Sequence, residues 1–193
     1  MVRTARTGGI IPEVDPAAPD LDYWLADPAV RVRHRRESSA PRERLWLAAH
    51  EVRLSDTAVL GRLVRWRIPG LPANDRFYDL FREEPFLPLT ESDAALVSGL
   101  VGKIWTLRRD YPELGGPDEF REWSAPGTTK VLLANWVEDG RDGGSALHAE
   151  VRVKAYGAQG RLGLTSVRPL IRAFQHLVGS DAITAAVRRA ESS

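Results

Sequence analysis

Thr129 to Glu138, TKVLLANWVE, and Ser145 to Tyr156, SALHAEVRVKAY, decide the fold. Asp139-Gly140 and Asp142-Gly143-Gly144 stand between them. Two alternating, valine-rich runs broken by Asp-Gly steps read as antiparallel strands joined by a loop. Period two puts Val131, Leu133, Asn135 and Val137 on one face of the first strand. It groups Leu147, Ala149, Val151 and Val153 on one face of the second. After Gly157, Gly160 and Gly163 the period changes to 3.6: Val167, Leu170, Ile171, Phe174, Leu177 and Val178 form one stripe. Gly179 is expected to interrupt this helix, Ser180 or Asp181 to cap it again, and Ile183 and Val187 to continue it.

Upstream of the hairpin, Ala94 to Leu107 (AALVSGLVGKIWTL) reads as a mostly buried strand, whose Gly99 and Gly102 permit a bulge or a close approach. Ser98, Leu100 and Ile104 share its Leu96 face. Phe86 to Leu89 reads as another strand, and within Asn74 to Glu84 the residues Phe77, Tyr78, Leu80 and Phe81 read as a short amphipathic helix. Near the start, AVRVRHRRE (Ala29 to Glu37) alternates strictly, with Val30, Val32 and His34 on one face and Arg31, Arg33 and Arg35 on the other. Ser39 and Pro41 open a helix carrying Leu45, Ala48, Ala49 and Val52, and a second helix is expected over Thr57 to Trp66. Residues 1–28 read as an N-terminal arm, pinned by Tyr23, Trp24 and Leu25, and 29–193 as one domain.

The order is strand, helices, a run of antiparallel strands, then a long final helix. That segregation predicts an α+β fold, with helices on one face of a curved antiparallel sheet. With 193 residues, 43% hydrophobic and 27% charged, the chain has the composition of one ordinary globular domain. Cysteine is absent, which excludes disulfides, a thiol nucleophile and thiolate metal sites. The net charge of +1 gives no global field for nucleic acid. The Arg31, Arg33 and Arg35 row has no interleaved aromatics for base stacking and reads as a solvated sheet face. No apolar run has signal-peptide or membrane-span character, so a cytoplasmic location is expected, with no nucleic-acid or membrane partner. A homodimer would use Phe86 and the sheet edges.

The same order resembles the helix-grip fold of the START/Bet v 1-like superfamily, the polyketide-cyclase-like group. APRERLWLAAHEV (Ala40 to Val52) resembles its link from the first strand to the first helices. LVSGLVGKIW (Leu96 to Trp105), EFREWSAPG (Glu119 to Gly127) and GGSALHAEVRV (Gly143 to Val153) resemble later strands of one bacterial branch. The resemblance covers about Arg31 to Glu191. It implies a cavity between the sheet and the final helix that takes a hydrophobic or amphipathic small molecule. The residues expected to line it are His34, Ser98, Leu100, Ile104, Asn135, Val151, Phe174 and Leu177.

Sharper chemistry is not written in the chain. GAQGRLG (Gly157 to Gly163) spaces its glycines by three, unlike a dinucleotide fingerprint, and no cofactor is expected. His34, His50, His148 and His176 lack ligand spacing, and His50-Glu51 has Leu54 where a zinc motif needs histidine, so no metal is expected. Glu150 and Arg152 alternate away from Val151 and read as a cross-strand ion pair on a solvated convex face. Three function classes remain. One is a binding module. Another is a cyclase or dehydratase in which His34 or another polar group moves a proton. The third is a partner-binding protein with a filled cavity.

Overall fold

The computed structural model describes residues 18–57, 61–62, 65, 70–106 and 111–192; the side chains of 170–180 lie outside the description. The order is α1 (Leu21–Trp24), β1 (Val30–Ser38), α2 (Arg42–Glu51), 3-10 turns at Leu54–Asp56 and Phe77–Phe81, β2 (Leu87–Glu91) and β3 (Ala95–Gly102). Then come α3 (Pro117–Glu122), β4 (Thr129–Asp139), β5 (Ser145–Ala155) and α4 (Gly157–Ser192). All strand pairs are antiparallel, in the order β1-β5-β4-β3-β2. The fold is the expected α+β arrangement, a curved antiparallel sheet with a long C-terminal helix.

The hairpin sets the register. β4 and β5 pair from Thr129 opposite Ala155 to Asp139 opposite Ser145, closed by a loop in which Asp142 and Gly143 take positive φ. β1 adds to the outer side of β5 with Val32 opposite Val151 and His34 opposite Ala149. β3 adds to β4 with Ser98 opposite Leu133 and Leu96 opposite Asn135. Three rows therefore cross the helix-facing side of the sheet: Val30-Val153-Val131-Leu100, Val32-Val151-Leu133-Ser98 and His34-Ala149-Asn135-Leu96.

Helix α4 packs against α2, β1 and β5, while α2 also rests on β4 and β5. Leu164 joins Val30, Leu100, Val131 and Val153 in one buried cluster. Ala182, Ile183, Ala186 and Val187 join Leu45, Ala49, Leu147 and Ala149 in another. At 1.5 Å per residue these two anchors lie about 28 Å apart along the helix. On the opposite side α1 and α3 cover Val97, Val101, Leu132, Ala134 and Trp136. Gly99 faces that layer, and a Cβ there would stand 2.5 Å from the Phe120 ring, so glycine is what lets α3 approach β3.

Several expectations need correction. Gly179 does not interrupt α4, which runs unbroken and also contains Pro169. A helical glycine costs only about 1 kcal/mol, and the packed turn at Ala182 and Ile183 holds the far side. The Leu96 strand stops at Gly102, where φ is positive and the chain turns through Lys103 to Thr106. Ser39 does not cap α2; Pro41 holds the cap position without a side-chain bond. Instead Ser38 Oγ and the Ser39 N–H donate to Glu191 Oε1, clamping the end of β1 to the last turn of α4. Of the second expected helix, residues 61, 62 and 65 are helical. Val59, Leu60, Leu63 and Val64 lie outside the described residues.

Candidate functional site

Strand alternation fixes which side chains meet. His34, Ser98, Leu100, Asn135 and Val151 all stand on the helix-facing side, within the three rows above. Ile104 lies past the end of β3 and packs, half-buried, against the Leu100 and Leu164 cluster. The side chains of Phe174 and Leu177 lie outside the described residues; their backbone belongs to α4.

Packing along these rows is uneven. The row of Val30, Val153, Val131 and Leu100 is buried. So are Leu147, Val137, Ala149 and Leu96 toward the other end of the strands. Between them Val32, Val151 and Leu133 are only half-buried, although β5 and β4 are interior strands. An interior strand under a helix normally buries such positions fully. The strip of floor between the two anchors of α4 is therefore only partly covered.

The polar residues of this floor differ. Ser98 is 1% exposed, and its Oγ donates to the Phe81 carbonyl at 2.6 Å, tying β3 to the Phe77–Phe81 turn. His34 is half-buried at the edge strand and engages another group. Asn135 is 8% exposed, and its amide makes no hydrogen bond among the described residues. Ala149, packed in the core cluster, stands between His34 and Asn135, so the two polar residues are two strand spacings, about 10 Å, apart.

An aromatic wall adjoins the floor, built on the 3-10 turn Phe77–Phe81 where a short amphipathic helix is expected from the sequence. Phe77, Tyr78 and Phe81 pack with Trp46 and with the half-buried Phe86. His50 sits edge-on to Trp46, at 4.6 Å between ring centres. Arg82 Nη2 approaches His50 Nδ1 at 3.1 Å. Since guanidinium only donates, Nδ1 accepts and the ring proton sits on the enclosed Nε2. Burial, then the Arg82 charge, pulls the His50 pKa down and keeps the ring neutral. Arg82 is itself held by Asp79 at 2.9 Å and Glu91 at 2.6 Å. Burial raises the Tyr78 hydroxyl further above the ordinary tyrosine value.

The opposite face corrects the reading of Glu150 and Arg152. They are 2% and 3% exposed, not solvated. Glu150 accepts from Arg31 Nε at 2.8 Å and from Arg152 Nε at 2.6 Å. Arg152 also donates to Asp22 and to the Leu25 carbonyl. The residues just before β1 lie across this part of the sheet and exclude water from it, with Leu21 and Leu25 buried. Nearby, His148 stacks on Trp136 at 4.8 Å. Its Nε2 is 3.1 Å from Glu138 Oε2 but is not aligned for a hydrogen bond. Lys130, buried over the Phe120 ring, donates to the Arg121 carbonyl, and burial pulls its pKa down to about 8, helped by Lys154 and Arg121.

Elsewhere, a cleft of about 370 Å³ opens between the Leu54–Asp56 turn and the last third of α4. Val52, Asp56, Asp181, Thr184, Arg188 and Arg189 line it, and it shares no residue with the three rows. Among the described residues no cluster of His, Asp and Glu could hold a metal, and no helix is long and apolar enough to cross a membrane.

No family model matches the chain, and no curated protein matches its sequence. Solved structures with some similarity include TTHA0849 from Thermus thermophilus, at 10% identity and TM-score 0.35, over 84% of this chain and 98% of that one. The Zhui aromatase/cyclase from Streptomyces sp. R1128 is similar at 16% identity and TM-score 0.31, over 83% and 94%. Ara h 8.0201 is similar at 14% identity and TM-score 0.27, over 85% and 99%.

Proposed function

We propose that this chain binds a hydrophobic or amphipathic small molecule between the sheet and α4, in the manner of the START/Bet v 1-like proteins its sequence resembles. The observation that carries the reading is the half-buried strip of Val32, Leu133 and Val151 between two fully packed ends of the same strands. Apolar lining with a few placed polar groups is what small-molecule sites require. In this reading His34, Leu100, Ile104, Asn135 and Val151 line the site, and Phe174 and Leu177 close it from α4. Ser98 contributes by fixing the aromatic wall, since its hydroxyl proton is already engaged.

Native mass spectrometry of protein purified from its source is expected to find a retained small molecule. Nile red should gain fluorescence on the purified protein. Val151→Phe, which fills the strip, should abolish that gain while the thermal transition stays cooperative. No retained mass together with no dye response would overturn the reading. So would dye binding indifferent to both Val151→Phe and Leu133→Phe.

A further inference from the structure

Resting on that reading, we infer that the guest is an uncharged molecule whose polar group both donates and accepts hydrogen bonds, such as a carboxamide, and not a carboxylate. Asn135 is more than nine-tenths buried as a residue, and its amide has no hydrogen-bond partner among the described residues. Its neighbours across the strands are Ala149 and Leu96, and along its own strand Leu133 and Val137, all apolar. An enclosed amide that no protein group engages is open to a guest, and a site built to hydrogen-bond its guest discriminates strongly by that group. The carboxamide offers one acceptor and one donor group side by side. A guest that matches both engages one N–H and the carbonyl oxygen of Asn135.

The charge map sharpens the choice. Apart from His34, the three rows of floor carry no ionisable residue. Arg36, next on that face of β1, donates from Nη1 to Thr184 Oγ1. Arg82 is enclosed by Asp79, Glu91 and His50. Arg31, Arg33 and Arg152 gather around Glu150 on the opposite face. A carboxylate entering beside Asn135 would lose its hydration and find no counter-charge among the described residues of the floor. An isosteric carboxamide would lose far less and gain two bonds.

Octanamide and octanoate differ only at that group, and each can be titrated against bound Nile red at pH 7. Octanamide is expected to displace the dye about tenfold more tightly than octanoate. Asn135→Leu should abolish this preference while Nile red still binds, and Asn135→Ala should do the same if the larger side chain disturbs folding. Equal or tighter binding of octanoate, with the dye still bound and displaced, would overturn the inference and leave the binding reading standing. So would a preference that survives both substitutions. Failure of Nile red and both octyl probes to bind would overturn the binding reading and the inference together.

Discussion

Leu132 and Leu133 are neighbours on β4, yet they belong to two different surfaces. Leu132 is 1% exposed beneath α1 and α3, among Val97, Trp136 and Phe120. Leu133 is half-buried beneath α4, beside Val151 and Asn135. The strand treats them alike, and only the cover differs. On one side short elements fit the sheet so closely that Gly99 has no room for a methyl group. On the other, one long helix is anchored by Leu164 and by Ile183, and Val32, Leu133 and Val151 between them are only half-buried. A tightly packed face and a half-buried face can thus be made from the same alternation.

Charge separates the two faces as sharply as packing does. The closed face buries Glu150 between Arg31 and Arg152, and the three rows on the helix-facing side carry His34, Ser98 and Asn135 as their polar residues. The largest effect is accordingly expected from Glu150→Ala. It should cost about 3–5 kcal/mol in denaturant unfolding, because it leaves Arg152 buried with its main partner gone. A loss near that of an exposed pair would mean that the cover over β5 is not closed.

The adjacent leucines give the next test. Leu132→Ala should cost about 2–5 kcal/mol, in the range of fully buried leucines. Leu133→Ala should cost about 1 kcal/mol, since less area leaves contact with protein. Equal costs would erase the distinction between the faces.

A smaller effect should appear with pH. His148 on the closed face and His50 in the aromatic wall both have folded pKa values below the ordinary 6.5, chiefly through burial. Above 6.5 both are neutral folded and unfolded, and the stability they allow is fully present. As pH falls below 6.5 the unfolded chain takes up protons that the folded protein refuses, so stability declines until the lowered folded values are passed. Chemical denaturation between pH 7 and pH 5 should show this slope, reduced in His148→Gln and reduced further when His50→Gln is added. A flat profile would mean that water reaches both rings.

Which residues share a face was legible in the sequence, because period two is strict. His34, Ser98 and Asn135 come to one side through registers that Val32, Val151 and Leu133 set. What each polar group does there was not legible. The partner of Ser98 is a backbone carbonyl 17 residues away, in a turn that periodicity barely marks. Alternation also gives a face without giving its cover, so Glu150 and Arg152 read as solvated. The segment that buries them is about 130 positions upstream, and its contacts run through Asp22 and the Leu25 carbonyl. Continuity of α4 through Gly179 likewise rests on tertiary anchors that outweigh local propensity.

The placement of β1 has a consequence for how the chain reaches this state. β2 to β5 form a meander of near neighbours, whereas β1 must come back from the far end of the sequence to pair with β5. Closing so long a loop is entropically slow compared with forming a hairpin. Until β1 arrives, β5 is a bare sheet edge, and such edges recruit strands from other molecules. Along that edge Glu150, Arg152 and Lys154 alternate with the apolar residues. Charges that end up locked beneath the N-terminal segment would thus first act as gatekeepers against aggregation, an advantage that a more apolar, equally stable β5 would forfeit.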